Sequence, residues 1–474
     1  MNAARWLLDG GAAADAALVQ QDRRWTHGEL RARADGVAAD LVAHGLKAGD
    51  RVALVAPNSP DLAATLIGIV LAGGTAVPLP ASDPPARLGR MLARARPVAI
   101  FAEGRAATTV KELCPEARIF GALEPGTFDA VTTDAPALVL FTSGSTGEPR
   151  GVLISHANIV ANTTSILASL PIRRDDRMMV VLPFYYSFGA SLLFTHVRAG
   201  ACLVVNNGFM FADRVLEEMQ REACTAFAGV PSTYQLLLRR SSLPKMTFPA
   251  LRYVQQAGGR LAPAFVKELR ERLPGTEVWL MYGQTEATAR LSVLHPSRLD
   301  DKAHTIGKAI PGVTLAIEEG ELVARGENIA TGYLDEPGAT RETFRDGALH
   351  TGDLGSVDDE GFLVLTDRAK DFLKCAGYRV AMKEVEDTLL AFPGTVEAAV
   401  VAIPDDLQGE AVEAWLVHPD GDAARPALEL HAKRSLAPHV QPRAVVFVDT
   451  LPKTAAGKLA RADLRALSRQ RRGS

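Results

Sequence analysis

The chain has 474 residues, too many for one ordinary hydrophobic core, so two or more domains are expected. Its composition, 47% hydrophobic and 23% charged, is that of a soluble globular protein, and a net charge of -3 argues against a chain devoted to nucleic acid. Cys114, Cys202, Cys224 and Cys375 are scattered without a CxxC pair, which points to a reducing compartment and away from a cysteine metal site.

The first residues, Met1 to Trp6, lack the apolar core of a signal peptide. Residues 30–44 carry an amphipathic helical pattern that Gly45 can end. Residues 51–55 read as a short buried strand. Asn58 is positioned to cap the next helix, with Pro60 in its first turn and Gly73-Gly74 at its end. The most apolar stretch, 62–79, is therefore broken into a buried helix and a strand rather than a membrane span. Cytoplasmic residence is the default expectation. Pro84-Pro85 open a helix that stops before Pro97, and 98–101 form another strand. Strands alternating with helices predict a parallel α/β sheet.

The apolar run 138–141 then leads into Thr142, Ser143, Gly144, Ser145, Thr146, Gly147 and Glu148. Pro149, Arg150 and Gly151 follow, and a second apolar run covers 152–154. This reads as strand, tight polar loop, strand. Backbone N–H groups and hydroxyls in such a loop suit an anion, and the glycines let the chain come close. Polyphosphate is the natural ligand, although a Ser/Gly-rich surface turn has the same composition. A Lys-Ser or Lys-Thr after the last glycine is missing and no helix starts there, so this is not the common nucleotide loop.

Residues 155–170 are helical and Pro171 ends them. A strand at 178–182 precedes Pro183-Phe184-Tyr185-Tyr186-Ser187-Phe188-Gly189, whose four aromatics suit either a core or the wall of an apolar pocket. A helix is expected over 211–224. The strand 251–256 ends at Ala257-Gly258-Gly259, and the strand 277–281 ends at Tyr282-Gly283-Gln284-Thr285-Glu286. Ligands of open α/β sheets sit at such carboxyl ends. From about residue 300 the glycine spacing suggests short strands in a small β-rich subdomain. The polar stretch 366–371 reads as an interdomain linker. It divides the chain into 1–368 and 369–474. Helices at 381–391 and 427–436, with strands at 396–403, 411–417 and 443–448, describe a small α+β domain. The basic stretch 461–472 reads as a solvated helix.

These strings resemble the adenylate-forming superfamily, which contains acyl-CoA ligases, peptide-synthetase adenylation domains and luciferases. TSGSTGEPRG is similar to its phosphate loop, with Arg150 where the family usually has Lys. The resemblance implies nucleotide contacts from Thr142, Ser143, Gly144, Ser145, Thr146, Gly147, Gly258 and Gly259. In YGQTEAT it implies Tyr282 and Gly283 on adenine, Thr285 on phosphate and Glu286 on Mg²⁺. A hard cation that bridges phosphates suits one carboxylate and few other protein ligands. TGDLG implies that Asp353 binds both ribose hydroxyls, for which a carboxylate has the acceptors. Arg368 would contact the nucleotide and Lys370 would be the hinge. Tyr185, Tyr186, Phe188, Gly189, Val230 and Met281 would line the acyl pocket. Lys374 and Gly377 would serve thioester formation, and Lys458 would be the catalytic lysine, acting with Arg150, Thr285 and Glu286. The implied fold is α/β. A large N-terminal adenylation domain of several subdomains carries α/β sheets and a small β-rich part, and a small mobile α+β C-terminal domain follows it.

The implied reaction has two steps. A carboxylate attacks the α-phosphorus of MgATP to give acyl-AMP and pyrophosphate, and a thiol then displaces AMP. Coenzyme A is the first choice of thiol, and the phosphopantetheine of a separate acyl carrier protein the second. An AMP-binding protein without catalysis, or a luciferase-type oxygenase, would share the motifs. Residues 184–192 contain no acid to pair with an α-ammonium group, and burying that cation unpaired is costly. The expected substrate is thus a small carboxylic acid without one, with Gly189, Gly258 and Gly259 leaving room for a ring or chain.

Overall fold

The computed structural model describes residues 1–122, 124–143, 149–368, 372–375, 378–405, 409–454 and 457–473. Two large sheets form the body of the chain. One is nine-stranded. Its middle is a parallel array of Ala16–Gln20, Cys202–Val205, Arg177–Val180, Ala226–Gly229, Tyr253–Gln256 and Glu277–Tyr282. The other is seven-stranded and contains Arg51–Val55, Thr75–Pro78, Ala99–Ala102 and the hairpin Leu138–Ser143/Pro149–Ile154. Buried strands such as Val52 to Val55 and Leu203 to Val205 are apolar on both faces, as expected where helices cover both sides of a parallel sheet.

The helix Pro60–Leu71 is buried along its whole length between the sheets. Its cap is Ser59, whose Oγ accepts the Leu62 N–H at 3.0 Å. Asn58, expected as that cap, instead donates to the Leu182 carbonyl and accepts the Phe184 N–H, both at 2.9 Å. It is buried, and it ties this helix start to the aromatic loop of the other sheet. The helix His27–Ala43 starts in a capping box made by Thr26 and Glu29, and Gly45 follows it with φ +88°. The hydrophobic stretch 62–79 thus becomes a core helix and a core strand. No helix among the described residues is long and apolar enough to cross a membrane.

A five-stranded antiparallel sheet follows, built on Val313–Glu318, Glu321–Gly326 and Ala348–Val357, as the glycine spacing suggests. A second five-stranded sheet, centred on Glu397–Asp405 and Gly409–Val417, carries the helices Met382–Leu390, Arg425–Ser435 and Arg461–Arg472 on its faces. Val385, Leu389, Val400, Leu416 and Leu428 form one of its apolar clusters, and Val401, Trp415, Val417 and Leu464 form another. This C-terminal part meets the large domain through the 2.6 Å ion pair of Arg260 with Asp387 and through Leu390, which packs against an apolar cluster that includes Leu261 and Phe265.

Candidate active site

The parallel strands Arg177–Val180, Ala226–Gly229, Tyr253–Gln256 and Glu277–Tyr282 all leave the nine-stranded sheet at one edge. Their connections therefore share that edge: the aromatic loop up to Tyr186, Val230-Pro231, Ala257-Gly258-Gly259, and Gly283 to Thr288. This is the placement expected for a ligand site in an open α/β sheet.

Gly258 shows how closely these loops meet. Its φ is +84°, and a Cβ built there would lie 2.4 Å from the Tyr186 hydroxyl, 3.0 Å from Val230 Cγ1 and 3.2 Å from Lys458 Cε. Only glycine fits such a position. The Lys458 ammonium lies 4.8 Å from the Tyr186 ring centroid, a cation–π distance. Lys458 arrives on a tight loop in which the Thr454 N–H donates to the Lys458 carbonyl at 2.7 Å. The Ser232 hydroxyl, from the first turn of the helix Pro231–Arg240, donates to the Gly457 carbonyl at 2.7 Å. Lys458 is thus brought to Tyr186, Val230 and Gly258 from at least 200 residues further along the chain.

The edge also gathers polar groups. The Thr285 hydroxyl donates to the Ser187 hydroxyl at 3.1 Å, and Ser187 opens the helix Ser187–Ala199. No side chain caps that helix start, and the N–H groups of a helix's first turn favour anions. The Glu286 carboxylate accepts the Tyr333 hydroxyl at 3.0 Å. Burial and the nearby Glu286 charge push the Tyr333 phenol well above its ordinary pKa, so it stays a proton donor. Thr288 holds φ +65° and ψ -54°, a strained conformation that costs about 1–3 kcal/mol, and its hydroxyl is anchored on the Asn328 carbonyl at 2.7 Å.

The two arms Leu138–Ser143 and Pro149–Ile154 pair antiparallel, with Thr142 opposite Arg150 and Ser143 opposite Pro149. Gly144, Ser145, Thr146 and Gly147 lie outside the described residues. Arg150 Nε is 3.1 Å from Glu336, and its guanidinium lies 5.5 Å from the Tyr333 ring centroid. Arg94 pairs with the same Glu336. Asp353 is buried and accepts a hydrogen bond from the Tyr282 hydroxyl, which joins the expected ribose and adenine residues. Arg368 stands across the strand pair from Asp353. Lys374 lies on the strand Phe372–Cys375, and Lys370 and Gly377 lie outside the described residues.

Among the residues expected to line an acyl pocket, Phe188, Val230 and Met281 belong to the main apolar cluster, with Tyr186 packed against it. The Tyr186 and Phe188 rings meet edge to face, their centroids 6.4 Å apart. Tyr185 turns away: its hydroxyl bonds Ser82 near Asp83. Gly189 does not leave room for substrate. A Cβ there would lie 2.0 Å from the Pro183 carbonyl oxygen, so its absence lets helix and loop touch. Gly258 is likewise filled by Tyr186, whereas Gly259 meets only Pro231, at 3.2 Å. Gly283 packs a backbone against Ala289 and Arg290.

Sequence reasoning missed Ser187, Ser232, Tyr333, Glu336 and Arg290. Ser187 stands inside the aromatic motif and Ser232 follows the apolar strand by three residues, so both lay beside legible signals. Arg290 lies just beyond YGQTEAT and is 2% exposed, with its guanidinium 4.9 Å from the Phe188 ring centroid. Burial lowers its pKa to about 10, opposed only by Tyr186. A desolvated cation–π contact contributes about 2 kcal/mol, less than the several kcal/mol lost on burying an ion.

The residues at the edge fit the groups that the motifs imply. A single carboxylate oriented by a neutral phenol suits Mg²⁺, which keeps most of its ligands from water and phosphate. No group of three or more His, Cys, Asp or Glu converges among the described residues, so phosphate oxygens would complete such a shell.

Comparison with known proteins agrees with this geometry. The AMP-binding enzyme family model matches residues 10–334, and the model of the AMP-binding enzyme C-terminal domain matches residues 384–458. The 3-[(3aS,4S,7aS)-7a-methyl-1,5-dioxo-octahydro-1H-inden-4-yl]propanoyl:CoA ligase of Mycobacterium tuberculosis is 34% identical over 95% of both chains. The o-succinylbenzoate CoA synthetase of Bacillus subtilis, solved with its acyl-adenylate intermediate, superposes with a TM-score of 0.86 at 27% identity, covering 97% of each chain. The anthranilate CoA ligase AuaEII with anthranoyl-AMP gives 0.91 at 25% identity, covering 98% of this chain and 97% of that one. The chain belongs to the AMP-binding enzyme family and is an AMP-forming acid–thiol ligase.

Proposed function

We propose that the protein converts a ring-bearing carboxylic acid without an α-ammonium group to its acyl-adenylate and then to its coenzyme A thioester. The observation that carries the reading is the convergence of Lys458, Tyr186, Val230 and Gly258 at the strand edge that also holds Thr285 and Glu286, with Asp353 joined to it through the Tyr282 hydroxyl. A carboxylate is a poor acyl donor because oxide would have to leave; AMP leaves far more readily. The first step brings two anions together, so positive charge must screen them. The Lys458 ammonium, Arg150 and the N–H groups at Ser187 supply it. Mg²⁺, when held by Glu286, adds Lewis-acid polarisation of the phosphate oxygens. The substrate carboxylate attacks the α-phosphorus, and the bond to pyrophosphate breaks. In the second step a thiol attacks the acyl carbon and AMP departs. The present seating of Lys458 suits the first step. We assign the second to a rotation about Lys370 that withdraws Lys458 and brings Lys374 and Gly377 to the adenylate.

Substrate class follows from the charges at the pocket. The stretch 184–192 has no acid, and the buried Arg290 cation against Phe188 would repel an ammonium. The M. tuberculosis relative is named for a propanoyl chain on a fused ring, and AuaEII for an aromatic acid. The test is ATP–pyrophosphate exchange over a panel of aryl, arylalkyl and cyclic alkanoic acids and α-amino acids, followed by thioester formation with coenzyme A or a phosphopantetheinylated carrier protein. Exchange with ring-bearing acids and thioester with coenzyme A are expected. Exchange with α-amino acids alone would overturn the substrate class, and thioester on the carrier protein alone would overturn the acceptor.

A further inference from the structure

Arg290 is a buried cation that neither half-reaction above uses, and it is built into place. Asn162 accepts its N–H at 3.2 Å and donates to its carbonyl at 2.9 Å. Asn328 donates to the same carbonyl at 3.0 Å. Gly283 packs directly on its Cα, since a Cβ there would lie 2.9 Å from it. The backbone is therefore clamped on three sides, and the side chain it carries is buried. Yet the guanidinium has no carboxylate and no hydrogen-bond acceptor among the described residues. Among those residues its buried Nε lacks any partner, and its guanidinium lies over the Phe188 face. Buried charges are otherwise paired, because an unpaired one forfeits its hydration.

The aromatic pair Tyr186–Phe188 separates the two cations. Lys458 sits on Tyr186, Arg290 sits on Phe188, and the ring centroids are 6.4 Å apart. We propose that the substrate is bifunctional, with its reacting carboxyl near Lys458 and a second oxygen acceptor, a carboxylate or a ring ketone, received by Arg290 beyond Phe188. This rests on the acid–thiol ligase reading and narrows it. Arg290 then acts as a specificity residue. The bound oxygen supplies the acceptor that the fold withholds, and an acid ending in hydrocarbon would leave the guanidinium dry and unpaired. A fork of planar donors also suits a carboxylate in bidentate fashion.

The test uses matched pairs of acids on the full-length protein, with pyrophosphate release as the readout. Each pair joins a dicarboxylic or keto acid to the same skeleton carrying methyl or methylene in place of the distal oxygen group. The wild type is expected to favour the oxygenated member by about 100-fold or more in kcat/KM. Arg290→Met should reduce that preference to within about threefold by loss on the oxygenated member alone. Arg290→Gln, a neutral donor, separates the two sources: it should keep the preference for ketones if a ketone is the native group, and lose it if a carboxylate is. Equal kcat/KM within the wild-type pairs would overturn the proposal while leaving the ligase reading intact. So would an equal loss on both members in Arg290→Met with a lowered melting temperature, which would make Arg290 a packing residue. If Arg290→Met does not fold, the wild-type pairs and Arg290→Lys decide: selectivity present in the wild type and retained in part by Lys supports the proposal, and its absence in the wild type ends it. No pyrophosphate from any acid would overturn the ligase reading, and this proposal with it.

Discussion

Arg150 stands on the large domain with its guanidinium 3.1 Å from Glu336 and stacked toward Tyr333, while Lys458 comes from the C-terminal domain with its ammonium on the Tyr186 ring. Among the described residues Lys458 has no carboxylate partner; only its backbone loop is held, through Thr454 and Ser232. Arg150 belongs to a network that also takes in Arg94, Glu336, Tyr333 and Glu286. One positive charge is oriented before any nucleotide arrives. The other is delivered by a loop whose attachment is light. A charge that stays through both half-reactions gains from preorganisation, whereas one that must leave after the first step is better held weakly.

The largest expected effect comes from removing the delivered charge. Lys458→Ala should lower pyrophosphate release by about 10²–10³-fold, the loss typical of one preorganised stabilising donor. Thioester formation from supplied acyl-adenylate should stay near the wild-type rate, and the melting temperature should hardly move, because Lys458 has no carboxylate partner among the described residues and loses only its contact with the Tyr186 ring. Equal damage to both half-reactions would mean that Lys458 does not withdraw.

The fixed charge should respond differently. Glu336→Gln leaves Arg94 and Arg150 facing each other across a neutral amide. A drop of about tenfold in kcat/KM for ATP is expected, with about 1–3 kcal/mol of lost stability from the half-buried group. Arg150→Lys, which keeps the charge but loses the planar fork, should fall between this and the wild type. If Glu336→Gln unfolds nothing and slows nothing, Arg150 is not oriented by its carboxylate and the contrast with Lys458 collapses. The measurements are ATP-dependent kinetics and urea titration of each variant.

The motif strings marked the candidate residues of this site in advance. TSGSTGEPRG, YGQTEAT, TGDLG and the Lys458 loop each resemble a family string; strand-to-loop boundaries put the first two at strand ends, whereas TGDLG lies within the strand Ala348–Val357. The alternation of strands and helices likewise pointed to the parallel sheets, which follow from local periodicity. What escaped depends on neighbours that are distant in sequence. Asn58 has the side chain of a helix cap, but Ser59 fills that place and Asn58 is recruited by Leu182 and Phe184. Gly189 reads as open space only until the Pro183 carbonyl is seen against it. Arg290 follows a recognisable motif, yet nothing in a linear pattern tells a buried unpaired arginine from a solvated one. Tyr333 and Glu336 sit in an undistinguished turn, and their roles exist only because Gly332–Tyr333 pairs with the strand that carries Arg150.

The smallest effect tests how the delivered lysine is seated. Ser232 donates to the Gly457 carbonyl at 2.7 Å, one residue before Lys458, and Gly457 itself holds φ +78°. A neutral hydrogen bond of this kind contributes about 1 kcal/mol net. Because it joins the two domains, its loss should shift the balance between seated and withdrawn orientations rather than unfold either part. Ser232→Ala should therefore lower the population with Lys458 on Tyr186 by about fivefold at most. Where adenylation is rate-limiting, pyrophosphate release should slow by up to that factor. Where thioester formation limits, the same change should leave turnover unchanged or raise it slightly, since withdrawal becomes easier. A ring-fixed arginine offers no such lever: nothing comparable should be found by trimming a single hydroxyl near Arg150. Pre-steady-state pyrophosphate bursts measured beside thioester yield would separate these cases, and a Ser232→Ala enzyme slowed equally in both would show that the bond stabilises the fold and not the orientation.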